Sequence, residues 1–281
     1  MTVTGRIDTP KSHYYKIDGE KTPGVTTILG AGVPKPALVY WAANGIAGYV
    51  SERLTPGENG TIDATQLDRD LRTIDATTGR APKFRDGFTR NAIFETLKGV
   101  HWLDRDQAAN KGTEIHGYAE RLINGEECDI PHELEGHVDS FIRWHEDWQP
   151  RNTLPELVVG SRRHNYMGTT DLVADLADDR RWLVDYKTGR SGVYPETALQ
   201  CAAYRYAEFA IINGVEAPMP EVDAVGVVWL RADGYDFYPL TADEHAFRTF
   251  LYAQQIARFA GADRSEYIGD ALTPPQRQEA A

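Results

Sequence analysis

Three charged residues near the middle of the chain carry the strongest chemical signal in the sequence. Asp171 opens one strand-like run, TTDLVADL, and Asp185 and Lys187 close the next run, RWLVDYKT. Residues two apart on a strand project to the same face, so Asp185 and Lys187 share a face. The two neighbouring strands therefore present two carboxylates and one ammonium.

The turn between these two strands determines which side chains face each other. If residues 177–179 form the loop, Leu176 pairs with Arg180. Counting back five residues on each strand then places Asp171 opposite Asp185. Two opposed carboxylates repel each other unless a cation lies between them. Mg²⁺ takes oxygen ligands of this kind, so the pattern indicates a divalent metal site.

Such a site suits the hydrolysis of a phosphate ester. A bound divalent cation can activate a water molecule and offset the charge that builds on a phosphoryl oxygen. Lys187, held beside the metal, can orient that water or stabilise the developing charge. A surface hairpin with one salt bridge is the alternative interpretation of Asp185 and Lys187 taken by themselves.

Four segments, in order, make the chain resemble the PD-(D/E)XK nuclease superfamily, in particular the RecB-type nucleases and phage exonucleases. GTEIHGYAE is similar to the helix that supplies a histidine ligand, and GTTDLVA and DYKTG resemble the strands with the two aspartates and the lysine. QCAAY resembles the Q-x-x-x-Y motif of the following helix. The matched region spans residues 112 to 204, and TPGVTTIL…ALVYWAANG also resembles the opening of many phage-encoded members.

The resemblance implies a metal site and a catalytic set. The implied ligands of Mg²⁺ or Mn²⁺ are His116, Asp171, Asp185 and the backbone carbonyl of Tyr186. The implied catalytic residues are Asp171, Asp185, Lys187, Gln200 and Tyr204. Without the other motifs, a solvent-facing histidine and ordinary helix packing would explain the residues that come from helices.

Two acidic residues are further candidates at this site. Glu156 lies where some members of the superfamily carry an extra acidic residue. Glu120 is one helical turn past His116, on the same face, and would support that histidine from behind.

The charge balance narrows the way in which the chain could meet nucleic acid. Lys and Arg total 30 against 42 Asp and Glu, for a net charge of −12, which argues against coating of nucleic acid by overall attraction. An enzyme needs only a local basic path, and residues 79–98 hold five basic residues against two acids. The predicted DNA-binding residues are Arg80, Lys83, Arg85, Arg90, Lys98, Arg162, Arg163 and Arg190.

Several classes of protein are excluded by what the sequence lacks. Two cysteines, Cys128 and Cys201, cannot hold a four-cysteine iron–sulfur cluster within one chain, so no such cluster is expected. No P-loop motif is present, so the chain is not itself a helicase motor. No apolar run has the length of about 18 residues that spans a membrane, and the N-terminus has no apolar stretch of the signal-peptide type. We expect a cytoplasmic protein without membrane contact, in the host cytoplasm if it is phage-encoded.

The order of predicted elements indicates an α/β fold. We expect a PD-(D/E)XK restriction-endonuclease-like core, a central mixed sheet flanked by helices, with an N-terminal helical elaboration. HYYKI and VTTIL predict a hairpin around Asp18-Gly19, and the runs at 36–54, 104–124, 133–148, 196–212 and 243–261 predict helices.

The chain is predicted to form a single nuclease domain over residues 1–281. Residues 1–103 would hold the N-terminal hairpin and a helical DNA-guiding region. Residues 104–270 would form the catalytic core, and residues 271–281 would form a flexible tail.

The function expected from these features is a divalent-metal-dependent DNA exonuclease that hydrolyses phosphodiester bonds in phage or bacterial recombination, repair or processing. A structure-selective endonuclease of the same fold is one alternative. A non-catalytic nucleic-acid-binding or regulatory protein on a nuclease scaffold is the other. DNA is the expected partner, and a recombination or replication protein and a second copy of the chain are further candidates.

Overall fold

The N-terminal part of the protein begins with a small antiparallel sheet and continues with helices. The computed structural model describes residues 3–9, 12–57, 61–77 and 90–272. The first strands are β1 (Gly5–Thr9), β2 (Ser12–Ile17) and β3 (Glu20–Thr22). After them come α1 (Val25–Gly32), α2 (Pro36–Ser51), a short hairpin of β4 (Thr55–Pro56) and β5 (Ile62–Asp63), α3 (Thr65–Thr77), α4 (Arg90–Ile123) and α5 (His132–Trp148).

A mixed sheet of seven strands forms the centre of the protein. Its elements are β6 (Arg151–Ser161), β7 (Tyr166–Asp175), β8 (Arg181–Lys187), α6 (Glu196–Arg205), β9 (Phe209–Ile212), β10 (Val215–Pro218), β11 (Ala224–Arg231), β12 (Gly234–Pro239) and α7 (Glu244–Ala260). The spatial order is β10-β9-β6-β7-β8-β11-β12. β8 and β11 run parallel, and the other neighbours are antiparallel. The predicted α/β class with a mixed central sheet is therefore confirmed.

Helices cover both faces of this sheet, because successive residues of a strand point to opposite faces. Leu183 of β8 packs into a core with α1, α6 and α7. Its neighbour Val184 packs on the other face into a core with α4 and α5 that includes the fully buried Trp144. A fully buried aliphatic side chain of this kind stabilises the fold by about 1.5–3 kcal/mol, so the two cores hold the central strands firmly.

The small N-terminal sheet packs against the start of β7. The hydroxyl groups of Tyr15 and Thr169 are hydrogen-bonded at 3.0 Å. The backbone N–H of Met167 donates to the carbonyl of Pro23 at 3.1 Å, where Gly24 forms a parallel bridge with Met167. Strands β1, β2 and β3 are thus fixed to the strand that carries Asp171.

Two predicted elements differ from the structure. VTTIL is the start of helix α1 rather than a strand, because Val25, Ile28 and Leu29 are buried at helical spacing against α7. The helix predicted for residues 196–212 ends at Arg205, and Phe209–Ile212 forms β9 beside β6. The β-branched run of VTTIL and the short apolar run at 209–212 are each compatible with a strand or a helix at the level of sequence.

The remaining predicted helices agree well with the structure at 36–54, 133–148 and 243–261. The helix predicted at 104–124 is the second half of α4, which crosses the predicted division at 103/104 as one continuous helix. Residues 273–281, most of the predicted tail, lie outside the described residues. Among the described residues, no helix combines the length and the apolar character that crossing a bilayer requires.

Candidate active site

The candidate site lies where the ladder between β7 and β8 ends. The ladder runs from Asp175↔Arg181 to Leu172↔Val184, and Asp171 and Asp185 occupy the next position along it. Leu176 N–H donates to the carbonyl of Arg180 at 3.0 Å, so the register predicted from the turn is confirmed. We call this end of the ladder, at Asp171 and Asp185, the fork.

At the fork a side chain replaces a backbone partner. Tyr186 N–H donates to Asp171 Oδ2 at 2.6 Å. On the other side of β7, the ladder with β6 contains Pro155↔Leu172 and Leu157↔Thr170 but no pair between Glu156 and Asp171. Both ladders of β7 are therefore interrupted at Asp171, and that interruption lets its carboxylate turn toward the cleft.

Asp185 is held from two directions. Lys187 Nζ lies 2.5 Å from Asp185 Oδ2, and Gln200 Nε2 of α6 donates to Asp185 Oδ1 at 2.7 Å. The Asp185 side chain is only 2% exposed, whereas that of Lys187 is 32% exposed. The contact with Lys187 is an ion pair rather than a directed hydrogen bond: Oδ2 is buried and accepts no well-aligned hydrogen bond from the described residues. Asp185 is therefore buried between Lys187 and Gln200, and the ammonium of Lys187 compensates its charge.

Helix α4 brings His116 to the fork from the opposite helical layer. His116 Nδ1 lies 3.2 Å from Asp171 Oδ1. The imidazole packs edge-on to the ring of Tyr186, with the centroids 5.9 Å apart. Gln200 comes from α6, which packs on the other face of the sheet, so helices from the two faces each contact one carboxylate of the fork: α4 contacts Asp171 and α6 contacts Asp185.

Glu156 completes an acidic group that sequence reasoning placed only as an extra candidate. One ligand atom from each of His116, Glu156 and Asp171 lies within 4.8 Å of the others. Glu156 has a φ of 46°, in the left-handed region, although it lies within strand β6. A non-glycine residue in this conformation costs free energy, of order 1–3 kcal/mol, and such outliers cluster at functional sites. Asp185 is not part of this closest trio.

Burial and neighbouring charges shift the pKa values of His116, Asp171 and Asp185 in different directions. Burial alone would lower the pKa of His116, but the charge and hydrogen bond of Asp171 raise that pKa to about 9. Burial would raise the pKa of Asp171, yet His116 and Lys187 bring it below its usual value. Burial raises the pKa of Asp185 in spite of the opposing effect of Lys187.

The ammonium of Lys187 is held in its charged form. Burial by itself would lower the pKa of Lys187, but the carboxylates of Asp185 and Asp171 raise it above its usual value. Burial and the repulsion of Asp171 also raise the pKa of Glu156, against the effect of Arg6. Each of the three carboxylates has a cationic partner within 3.2 Å: Arg6 for Glu156, His116 for Asp171 and Lys187 for Asp185.

A cleft of about 590 Å³ opens over the fork. The sequence-predicted residues that line it are His116, Glu120, Glu156, Asp171, Asp185, Lys187, Gln200 and Tyr204. Tyr186, predicted to supply a backbone carbonyl, has its side chain buried beneath the cleft against Phe141 and Trp144. The structure thus brings the predicted site residues together from α4, β6, β7, β8 and α6.

Tyr204 and Gln200 form a connected pair on α6, and Gln200 contacts Asp185. Tyr204 is 2% exposed, and its hydroxyl oxygen lies 3.3 Å from Gln200 Nε2. Gly168 makes room for the ring, because a Cβ at that position would lie 2.4 Å from Tyr204 Cε1. The glycine of the GTTDLVA segment therefore has a packing role that the sequence did not reveal.

The predicted DNA-binding residues are not assembled at the cleft by the described part of the chain. Arg80, Lys83 and Arg85 lie outside the described residues, as do the side chains of Arg90 and Lys98. Arg162 is engaged with Asp18 and Glu216, at 3.0 Å and 2.7 Å. Arg163 and Arg190 are exposed, and neither they nor Arg162 line the cleft.

The N-terminal sheet supplies residues that sequence reasoning missed. Arg6, Ser12, His13 and Tyr15 line the same cleft. Arg6 and Asp8 are two apart on β1 and so share a face, but RIDT resembles many exposed strands. Only the packing of this sheet onto β7 brings Arg6 to Glu156.

Comparison with models of known protein families gives no match for this chain. A search of curated proteins likewise gives no significant match. The function therefore has to be inferred from the geometry of the cleft.

Proposed function

We propose that this protein is a divalent-metal-dependent nuclease with a PD-(D/E)XK-type core. The observation that carries the proposal is the convergence of Asp171, Asp185 and Lys187 at the fork, with His116 beside them. Two carboxylates, an imidazole and a fixed ammonium at the end of a strand pair match the chemical needs of phosphodiester hydrolysis.

The donor atoms at the fork fit a hard divalent cation. Mg²⁺ binds oxygen at about 2.0–2.1 Å, so ligands on opposite sides of the ion are about 4.2 Å apart. One ligand atom from each of His116, Glu156 and Asp171 lies within 4.8 Å of the others, and Asp185 occupies the position next to Asp171 where the β7–β8 ladder ends. Small rotations of these side chains would close the set around Mg²⁺ or Mn²⁺. The cation would supply an activated water and charge stabilisation at the phosphate.

Lys187 then acts as a charged group rather than as a base. Its pKa is raised by Asp185 and Asp171 once burial has been overcome, so the ammonium keeps its proton at neutral pH. A fixed positive charge beside the metal ligands stabilises negative charge on a phosphoryl oxygen as the nucleophile attacks. Asp185 holds that ammonium at 2.5 Å and thereby sets its position.

Gln200 and Tyr204 serve as positioning residues in this proposal. Gln200 Nε2 donates to Asp185 Oδ1 at 2.7 Å, which orients the carboxylate, and Tyr204 packs under Gln200. Neither residue needs to touch the substrate. Their effect on turnover would act through the placement of Asp185, since a shift of 1 Å at a reacting group can lower the rate by about 10²-fold.

DNA ends are the substrate that we propose, on the basis of the resemblance to RecB-type nucleases and phage exonucleases. The protein should be incubated with linear and with covalently closed circular DNA in Mg²⁺. Loss of linear DNA alone supports an exonuclease, and cleavage of circles supports the endonuclease of the same fold. No change in either substrate, with the metal bound, would refute the nuclease proposal in favour of a non-catalytic binding protein.

Matched variants make this test specific to the fork. Asp171→Asn and Asp185→Asn should abolish cleavage while the protein stays folded, because each removes a proposed ligand with little change in volume. Asp175→Asn, at the other end of the same ladder and paired with Arg181, is the control and should cleave like the wild type. Full activity of Asp185→Asn would contradict the assignment of the site.

A further inference from the structure

We propose that Arg6 binds a phosphate of the nucleic acid, and that a divalent cation makes it available by drawing Glu156 away from it. The inference rests on the proposed nuclease function. It adds a substrate-binding group, Arg6, that lies about 100 residues before the segments at 112–204 that resemble the nuclease superfamily. The juxtaposition that carries it is Arg6 Nη1 at 3.1 Å from Glu156 Oε2, in the wall of the cleft.

Glu156 has two competing partners at this position. Without a metal, its carboxylate pairs with Arg6, while its nearest ligand atom is also within 4.8 Å of those of His116 and Asp171. A cation bound by that trio attracts Glu156 more strongly than an arginine that is 29% exposed can. Glu156 would then turn to the metal, and the Nη1 group of Arg6 would lose its partner while Nε keeps its bond to Asp8.

The guanidinium would remain aimed into the cleft after that exchange. Arg6 Nε donates to Asp8 Oδ1 at 2.8 Å, a bond that Glu156 does not share. The strand that carries Arg6 is fixed through Tyr15 and Thr169 to β7, the strand of Asp171. Arginine binds phosphate through parallel N–H groups, and the Nη edge released by Glu156 is available for that geometry.

The charge of the loaded cleft depends on Arg6. Glu120, Glu156, Asp171 and Asp185 line the cleft and contribute four negative charges, and His116 is a neutral ligand. A divalent cation together with Arg6 and Lys187 contributes four positive charges, so the two sums cancel. Without Arg6 the cleft would carry one net negative charge and would repel a phosphate. His13, the other basic residue of this wall, is neutral at pH 7, because burial and the charge of Arg6 lower its pKa.

The test compares DNA binding with metal binding in the full-length protein. Ca²⁺ is the probe, because its looser coordination supports binding with little turnover. Fluorescence anisotropy of a labelled DNA duplex in Ca²⁺ and in EDTA, at several salt concentrations, gives the affinity and its salt slope. We expect Arg6→Gln to lose about tenfold of the affinity in Ca²⁺ and about one unit of the salt slope. In EDTA, where Glu156 still engages Arg6, the variant should differ little from the wild type.

Calorimetry without DNA separates this role from a merely structural one. Arg6→Gln should bind Ca²⁺ at least as tightly as the wild type, because Glu156 has lost a competing partner. Arg6→Lys keeps the positive charge and should therefore keep the salt slope of DNA binding. A retained slope in this variant would show that the loss in Arg6→Gln comes from the missing charge and not from misfolding. The matched control is Arg181→Gln, which also loses an arginine–carboxylate pair but lies outside the cleft. It should change neither the Ca²⁺ affinity nor the salt slope of DNA binding.

The outcomes distinguish this inference from the proposed function. An Arg6→Gln variant with unchanged DNA affinity and salt slope in Ca²⁺ overturns the inference, as does a loss of Ca²⁺ affinity. A wild-type protein that binds no divalent cation overturns both proposals. If Arg6→Gln behaves as expected but the wild type cleaves nothing in Mg²⁺, the nuclease proposal fails and the phosphate-binding role of Arg6 stands.

Discussion

Adding one methyl group at Gly168 should disturb the site through three successive contacts. The new Cβ would lie 2.4 Å from Tyr204 Cε1. Carbon atoms in contact are about 3.5–4.0 Å apart, so the Tyr204 ring must move by about 1 Å or more. Tyr204 touches Gln200, which orients Asp185 at 2.7 Å. We therefore expect Gly168→Ala to shift the carboxylate of Asp185 although no proposed ligand or catalytic residue is substituted.

The magnitude follows from overpacking and from misplacement. Forcing an extra methyl group into a filled core costs about 1–3 kcal/mol of the free energy of unfolding. In a protein of this size, each kcal/mol lowers the melting temperature by about 2–4 °C. A displacement near 1 Å at a reacting carboxylate lowers turnover by about 10²-fold. Thermal unfolding and the rate of DNA cleavage in Mg²⁺ measure the two effects separately.

Two variants make the result interpretable. Gly30→Ala in α1 is the control, because a Cβ there meets no heavy atom within 4 Å. Alanine should stabilise that helix slightly. Tyr204→Leu removes the obstructing ring, so Gly168→Ala added to Tyr204→Leu should cost much less than it does alone. A Gly168→Ala protein with the melting temperature and turnover of the wild type would refute this chain of contacts.

Four further results are expected at the fork. His116 binds a metal only as the neutral imidazole. Burial lowers the pKa of His116, but Asp171 outweighs it and raises that pKa to about 9, so the Ca²⁺ affinity measured by calorimetry should rise about tenfold from pH 7 to 8 and level off above pH 9. A flat profile would argue against His116 as a ligand. Because that pKa is raised by folding, the metal-free protein should lose stability as pH increases from about 6.5 through 9, which a series of melting curves in EDTA would reveal. Lys187→Met should abolish cleavage and retain Ca²⁺ binding. It should also lower the free energy of unfolding by about 3 kcal/mol, because Asp185 stays buried without its cationic partner. Adding Asp185→Asn should recover part of that loss, and equal stability of the single and double variants would contradict the pairing. Excess EDTA should stop DNA cleavage completely, and activity that survives dialysis against the chelator would exclude the metal-dependent mechanism.

The hairpin register was predictable from the sequence because it depends on a short local count. Asp178 and Asp179 mark the turn, and strand pairing leaves no freedom once the turn is placed. The same alternation put Asp185 and Lys187 on one face, as observed. The positions of Asp171, Asp185 and Lys187 at one end of the ladder could be predicted for this reason, whereas the metal chemistry at the fork stays a prediction.

Other features depend on contacts that are distant in the sequence. VTTIL has the composition of a strand, but α1 forms because its buried positions face α7, more than 200 residues later. No local signal in RIDT connects Arg6 with Glu156, which is 150 residues away. The left-handed conformation of Glu156 also has no marker in the sequence, since glycine or asparagine would be the usual residue at such a position.

The long sequence separation within the cleft has a consequence for biosynthesis. At about 5–20 residues per second, a ribosome adds Glu156 roughly 8–30 s after Arg6. During that interval the residues of the N-terminal sheet lack β7, the strand on which they pack in the folded protein. Gln200 follows later still, so a nascent or truncated chain that stops before α6 lacks the hydrogen bond that orients Asp185 from that helix. The residues of the site can therefore come together only after most of the protein has been synthesised and folded.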